Sequence, residues 1–269
     1  MVLPSDPGQL IQKNKRLMIT INFRHVQIPV LTMGRGWLVV DKPAGLTVHN
    51  AAGKDLCSLV FARIRKETAL EGQTGLDPDF GVNPVHRLDK ETSGVILLAV
   101  NRESFRFFSN QFESRHVKKR YVAILHGRLE KQKENDPWGI WGWPLSEAAG
   151  GRHHPEGAGN LKDCRTLYRV LDHSAHYTMV EIELLTGRTH QIRRHAKLAG
   201  HPVVGDARYG STRAINYLRR NFAFDRLALH ARALTLQLPD GKAQETIETP
   251  AIPSQMRDLF QNDPAAHLS

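Results

Sequence analysis

Residues 85–100 read VHRLDKETSGVILLAV. A charged, turn-prone run, His86 to Gly94, runs directly into an apolar stretch, Val95 to Val100. The apolar half has the length and branched content of a buried strand. In the plain reading Asp89 caps a turn or pairs with Arg87, and Gly94 lets the chain turn into the strand. In the sharper reading a rigid strand holds Asp89 at a cleft. The rest of the chain has to decide between them.

The chain has 269 residues, within reach of one large α/β or α+β domain. Apolar residues make up 41% and charged residues 24%, which excludes a disordered chain. No apolar run approaches the roughly 18–20 residues that cross a bilayer. MVLPSDPGQLIQKNKR (1–16) lacks the apolar core of a secretory signal. No membrane association is expected, and the cytosol is the expected compartment. Cys57 and Cys164 are far apart and make no paired motif, so a reduced protein is expected.

The formal net charge of +10 points to a polyanionic partner, nucleic acid first. The excess sits in two blocks. Six Lys/Arg face two Glu between 102 and 120, and eight face one Asp between 186 and 220. A solvated helix face mixes signs, so the second block reads as a polyanion track.

RLMITINFRHVQIPVL (16–31) predicts one or two strands, and WLVVDKPAGLTVHN (37–50) predicts strand, turn, strand. KDLCSLVFARIRKETA (54–69) has helical spacing at Leu56, Val60 and Ile64, and LEGQTGLDPDFGVNP (70–84) reads as a loop. Asn101 caps a predicted helix over 101–115, with Phe105, Phe108 and Phe112 recurring along it. KKRYVAILHG (118–127) reads as a strand. Residues 130–162, with WGIWGW at 138–143, read as a surface hairpin or loop. YRVLDHSAHYTMVEIELLTG (168–187) predicts a hairpin, RTHQIRRHAKLAG (188–200) a short helix, HPVVGDARYG (201–210) a loop and LALHARALTLQLP (227–239) a strand. TIETPAIPSQM (246–256) closes the fold. There is no βαβ beat and no internal repeat. A single α+β domain over 16–260 is expected, on a large mixed, mainly antiparallel sheet, with 130–162 inserted and loose tails at 1–15 and 261–269.

Two motif fragments lead nowhere. DFG at 79–81 and HR at 86–87 mimic a protein-kinase signature, but the order is reversed and Leu88 stands where Asp is needed. His190 and His195 are five apart and His153-His154 adjoin, so no metal site is expected.

The run His86-Arg87-Leu88-Asp89-Lys90-Glu91-Thr92-Ser93-Gly94 resembles the signature of the RluA-type pseudouridine synthase family, H-R-L-D followed by T-S-G and an apolar strand. Four more segments resemble that family's motifs in family order. They are WLVVDKPAGLTVH (37–49), KKRYVAILHG, LLTGRTHQIRRHAKLAGHPVVGDARYG (184–210) and LALHARAL (227–234). The resemblance spans about residues 35–255. It implies a single pseudouridine-synthase-like catalytic domain with a central basic cleft. It also implies isomerisation of uridine to pseudouridine within tRNA or rRNA, with no cofactor. Many members begin with an S4-type RNA-binding domain. Only 36 residues precede the 37–49 segment that carries K-P-A-G here, too few for a folded module, so that domain is expected to be absent.

The resemblance also assigns residues. Asp89 occupies the catalytic aspartate position. Breaking the C1′–N1 bond builds oxocarbenium-like charge, which a carboxylate stabilises, attacks or relieves by taking a sugar proton. Covalent attack and elimination through a glycal both remain open. An arginine beside such an acid favours its charged form, and the resemblance gives that role to Arg188. Tyr121 matches an aromatic hydroxyl over the uracil that helps the C5 proton leave, although its strand spacing equally suits a core aromatic. Ile192 matches an apolar position under the base. Base flipping is expected, with Arg87 filling the vacated space or gripping a phosphate and His86 orienting the loop. Lys42 is expected near the cleft as a structural turn residue or a phosphate contact, and Arg193 with the basic blocks along the RNA backbone. The 130–162 insertion is either an RNA-selecting element or a plain hairpin. The protein is expected to be a monomer. A catalytically inactive RNA-binding or RNA-folding protein, and a nucleoside glycosidase using the same Asp, are the alternative functions.

Overall fold

The computed structural model describes residues 20–23, 26–132 and 135–263. The expected tail 1–15, and 264–269 of the expected C-terminal tail, lie outside the described residues. The elements run β1 (Thr20–Phe23), β2 (Val26–Gly34), β3 (Trp37–Lys42), α1 (Leu56–Arg65), α2 (Thr68–Thr74), β4 (Asn83–Pro84), β5 (Ser93–Ala99) and α3 (Arg102–Glu113). Then come β6 (Lys118–His126), β7 (Gly139–Trp141), β8 (Leu145–Ser146), β9 (Leu161–Lys162), β10 (Thr166–His173), β11 (Tyr177–Leu184) and α4 (Gln191–Leu198). The chain finishes with α5 (Thr212–Phe222), β12 (Leu229–Gln237), β13 (Gln244–Glu248) and α6 (Ser254–Gln261).

One sheet carries the order β1-β2-β3-β5-β12-β6-β11-β10-β7, with β4 also on β5 and β13 also on β12. β5 and β12 pair in parallel. The other ladders of this sheet among the described residues are antiparallel. The α+β architecture on a mixed, mainly antiparallel sheet is therefore as expected.

The apolar run after the charged turn is β5, and every one of its residues is buried. Strand side chains alternate faces. Ile96 and Leu98 join one apolar core with Leu56, Val60 and Ile64 of α1, whereas Val95 and Leu97 join a second with Trp37, Phe108 and Leu234. Cover on both faces explains why the run is unbroken rather than alternating. Each such side chain contributes roughly 1.5–3 kcal/mol on burial. Asp55 caps α1 by accepting from the Ser58 amide at 2.8 Å, and Asn101 caps α3 by accepting from Ser104 at 2.9 Å.

Several segments depart from expectation. Residues 70–74 belong to α2, because Leu70 and Thr74 bury against the core, so the expected loop starts later. In 130–162, β7 is an edge strand of the main sheet on β10, with Trp141 stacked on Tyr168 at 4.4 Å. Among the described residues of this stretch, β8 and β9 form a separate pair. Helices α5 and α6 are additional to the sequence reading. Residues 261–263 are not loose: Asp263 accepts from Ser174 Oγ and the His176 amide, both at 2.6 Å, which ties the end of α6 to the β10–β11 turn.

The parallel β5–β12 contact is very close at its start. Gly94 faces Ala231 and has φ of +115°, and a Cβ there would lie 2.1 Å from the Ala231 carbonyl oxygen. Beside it the Ser93 hydroxyl meets His230 Nδ1 at 2.8 Å and accepts from Arg226, and His230 Nε2 meets Thr249 Oγ1 at 2.9 Å. Gly94→Ala should therefore destabilise the chain by about 2–4 kcal/mol, from overpacking and an unfavourable φ together. Urea unfolding measures this, and a loss below about 1 kcal/mol would show that the two strands separate easily.

Candidate active site

The loop between β4 and β5 is fastened along its length. Val85 donates to the Leu97 carbonyl at 3.2 Å, and the Leu97 amide donates to His86 Nε2 at 3.1 Å. The His86 ring also stacks on Phe112 at 4.9 Å. Burial, then the charge of Lys119, pushes His86 down to about 3. His86 is thus a neutral acceptor that orients the loop and not a cation for RNA. Leu88 buries in the core, and the Thr92 amide donates to the Asp89 carbonyl at 3.1 Å. The Lys90 carbonyl accepts from the Gly45 amide at 2.8 Å and from Lys42 Nζ at 3.1 Å.

Lys42 resolves the choice left open by the sequence. It is fully buried, and Nζ also donates to the carbonyls of Pro43 at 2.9 Å and Leu46 at 2.8 Å. Three donors meet three carbonyls, so none is left for a phosphate. The phosphate-contact expectation for Lys42 is corrected and the structural one holds: it bolts the K-P-A-G turn to the loop carrying Asp89. Burial pushes it down to about 7, against the pull of Asp89 and Glu91.

The Asp89 side chain is 18% exposed, and its ion-pair partner is Arg193 at 3.3 Å, with His190 Nε2 at 3.8 Å. Arg188 makes no ion pair among the described residues, so the expectation that it holds the carboxylate is corrected. Arg193, expected along the RNA backbone, is buried. Its Nε and Nη2 donate to the two oxygens of Asp206 at 2.8 and 2.9 Å, and Nη1 faces Asp89 and, at 3.5 Å, Glu91. Burial works against the Arg193 charge, but Asp206 and then Asp89 outweigh it and hold the guanidinium above its ordinary value. Burial likewise works to raise Asp206. Arg193 and the amides of Tyr209 and Arg208 overcome this and keep it below the usual range.

A cavity of about 320 Å³ opens over Asp89, at the lower end of small-ligand sites. Its walls bring together Arg87, Asp89, Tyr121, Arg188, Ile192 and Arg193, and His86 also lines it. Tyr121 is buried on β6 opposite Ala231 and Ile182. Burial, then Asp89, raises its phenol far above the ordinary value, so the hydroxyl keeps its proton. Ile192 buries at the start of α4. A second groove of about 890 Å³ shares Arg87, Asp89, His190 and Arg193 and extends past His49 and Arg208.

His190, Asp206 and Glu91 are site neighbours that the sequence reading leaves unassigned. His190 precedes α4 in a left-handed conformation, φ +56°, and its Nδ1 lies 3.0 Å from the Tyr209 hydroxyl. Burial lowers its pKa, against the opposing pull of Asp89. The signal for Asp206 and Tyr209 was present in the G-D-x-x-Y-G run. The basic block 186–220 is also not one open track. Arg194 is fully buried and donates to the carbonyls of Ser146, Thr189, Pro155 and Glu156, which clamps the insertion onto α4. Among the described residues no group of three His, Cys, Asp or Glu is placed to hold a metal.

Arg193→Ala leaves Asp206 buried without its cation, so a stability loss of about 3–5 kcal/mol is expected. Thermal or urea unfolding checks it, and a loss under about 1 kcal/mol would show the pair to be dispensable. A pH effect follows from His86 and His230, both pushed down to about 3, His230 by burial with Arg226 and Arg232 adding. Between about pH 6.5 and pH 3 the unfolded chain takes up protons that these folded imidazoles refuse. Stability should fall as pH falls through that window, by up to about 1.4 kcal/mol per pH unit for each histidine. His230→Asn should make the slope shallower in urea melts at stepped pH.

Comparison with known proteins gives one answer. A family model described as RNA pseudouridylate synthase matches residues 36–198. The chain is 33% identical over 227 residues to an uncharacterized RNA pseudouridine synthase of Bacillus subtilis, covering 84% of this chain and 69% of the relative. It is 31% identical over 256 residues to tRNA pseudouridine synthase C of Haemophilus ducreyi, covering 91% of this chain and 98% of that one. Other relatives are longer: the chain spans 62% of ribosomal large subunit pseudouridine synthase C of Vibrio cholerae, with 32% identity. The solved structure of human RNA pseudouridylate synthase domain containing 1 superposes with a TM-score of 0.64 at 26% identity, covering 85% of this chain and 86% of that one. With the matched region holding β3 through α4, and so Asp89, Tyr121 and Arg193 together, the chain belongs to the RNA pseudouridine synthase family of isomerases.

Proposed function

We propose that the chain isomerises uridine to pseudouridine within tRNA or rRNA, with Asp89 as the catalytic carboxylate. The observation that carries this is Asp89 in the wall of the 320 Å³ cavity, 3.3 Å from a buried Arg193, with Tyr121 and Ile192 in the same cavity. A uridine flipped out of its stack presents C1′ to Asp89. The carboxylate attacks C1′ or takes a sugar proton as the C1′–N1 bond breaks. The uracil turns, and C5 bonds to C1′ as the bond to Asp89 breaks or as the sugar proton returns; the C5 proton then passes to water and N1 takes one from water, so atoms balance without a cofactor. Tyr121 keeps its proton and is a hydrogen-bonding hydroxyl over the base. Ile192 packs against the base, and Arg87, exposed at the rim, fills the vacated space in the stack or grips a phosphate.

The RNA class follows from the relatives' names and from physical access. One relative is named for tRNA and another for the ribosomal large subunit. Side chains reach splayed bases in loops better than bases in an A-form duplex, so a stem-loop is the favoured target. Among the described residues no helix is long and apolar enough to cross a membrane. A single chain supplies every site residue named here, so a monomer suffices.

The test is tritium release from RNA labelled at uridine C5, with bulk tRNA and rRNA transcripts and with wild type beside Asp89→Ala. Release by wild type should fall at least about 10³-fold in the variant, as for loss of a reacting group, with no free uracil. Free uracil would indicate a glycosidase instead. No release from either pool, despite tight binding, would overturn the isomerase reading for these RNAs.

A further inference from the structure

We propose that Arg188 and Lys119 form the seat for the backbone phosphate next to the flipped uridine, at the seam between the uridine cavity and a side groove. This rests on the reading of an RNA substrate. The seam is defined by residues that line both spaces: Phe112, Lys119, Leu184, Gly187 and Arg188 line the 320 Å³ cavity and also a groove of about 540 Å³. The groove runs on past Arg115 and Lys118. A polynucleotide that places one base over Asp89 must continue in some direction, and this groove is one continuation.

The three arginines of the T-G-R-T-H-Q-I-R-R run are in very different states. Arg193 has Asp206 and Asp89, and Arg194 has a set of carbonyls. Arg188 has neither. Its backbone amide donates to Gln191 Oε1 at 2.9 Å, which fixes the turn, but its side chain makes no hydrogen bond or ion pair among the described residues. Its Nε is buried without a partner. A buried N–H of a cation left unmatched is costly, and such groups point to an absent acceptor. Glu147, whose charge senses Arg188 at longer range, is already paired with Lys162.

Lys119 supplies the second charge. It lies two residues before Tyr121 on β6, hence on the same face of the strand as Tyr121. It makes no ion pair among the described residues, and its Nζ would lie 3.7 Å from a Cβ placed on Gly187. Burial lowers its pKa, which an anion would reverse. Two unpaired cations at one seam repel each other until an anion sits between them. Glu113 and Glu183 line the side groove but not the uridine cavity, so they leave the seam itself positive. A phosphodiester fits: its two free oxygens suit the guanidinium fork, and its two ester links continue into the two spaces. Inorganic phosphate would meet the same charges but would not use the groove beyond.

The test uses the full chain with the bulk tRNA and rRNA transcripts. Binding is measured in an Asp89→Ala background from about 50 to 200 mM salt, and turnover is measured with Asp89 intact. Arg188→Ala and Lys119→Ala should each reduce the slope of log K against log salt by about 0.7–0.9, the amount for one released counterion. KM should rise about tenfold and kcat at saturating RNA should stay within about threefold, as for loss of a binding contact. Arg188→Lys should recover the slope but only part of KM, since the charge remains and the fork is lost. Lys66→Ala, at an exposed lysine that lines none of these spaces, is the control and should change neither. Unchanged slope and KM in both alanine variants would overturn the proposal. A collapse of kcat with KM and slope intact would overturn it too, and would return Arg188 to the reacting atoms. Because binding is read without turnover, a chain that binds RNA but releases no tritium would fail the isomerase reading and still decide the phosphate seat.

Discussion

The site depends on one buried arginine shared between carboxylates. Arg193 commits two nitrogens to Asp206, whose side chain is wholly buried, and that bidentate bond fixes the plane of the guanidinium. Only then does the remaining nitrogen face Asp89 at a defined place. The cost of burying such charges is several kcal/mol per ion, and good geometry with satisfied donors is what offsets it. Here the offset comes from the Asp206 side, through two further backbone amides from Arg208 and Tyr209. Asp89 therefore receives a fixed positive charge without being locked by it. Its contact is the longer one, 3.3 Å against 2.8 Å, and its side chain remains partly open to the cavity.

The same economy governs the scaffold. The loop carrying Asp89 is held at the start by His86 on β5, in the middle by Lys42 and Gly45 on Lys90, and at the end by Gly94 pressed on Ala231. Each fastening reaches a different neighbour: the loop's own strand, the turn after β3, and the parallel strand β12. The polar line Arg226–Ser93–His230–Thr249 continues the last fastening across β12 to the end of β13. A carboxylate on a loop anchored at three points to a sheet buried on both faces has little freedom to move away from its arginine.

Much of this was legible in the sequence, and the failures have a common cause. The run 86–94 and the apolar strand after it announced a rigid turn at a strand, because charge next to an unbroken apolar run is a strong contrast. The β10–β11 hairpin and helix α3 were legible from period and cap. What could not be read was which cation meets which anion. Arg188 and Arg193 are five residues apart on one run, and only the left-handed residue at His190 and the helix start at Gln191 decide which one turns toward Asp89. The deciding partner, Asp206, lies thirteen residues further on, in the G-D-x-x-Y-G run, where the sequence marks the residue but not the cation that it meets. Lys42 was ambiguous for the same reason: a lysine beside a turn is usually solvated, and its three carbonyl partners exist only once two loops have met. Helix α5 carried a signal in the spacing of Ile215, Leu218 and Phe222, but its surface is otherwise polar, and of its residues only Leu218 is fully buried.

This changes what the positive charge of the chain means. Net charge treats all thirty-seven Lys and Arg as equivalent, yet the fold sorts them into held and free. Lys42, Arg193 and Arg194 are buried with their donors occupied, and contribute to geometry more than to attraction. Arg213, Arg219 and Arg220 on α5, and Arg102 and Arg106 on α3, are exposed and set the outer field that draws in a polyanion. Arg188 and Lys119 fall between these groups. They are partly buried, and like the second group they make no ion pair among the described residues, as the proposed phosphate seat requires. A block of basic sequence is thus three different things once folded, and the class of each residue is set by whether the chain itself supplies an acceptor within reach.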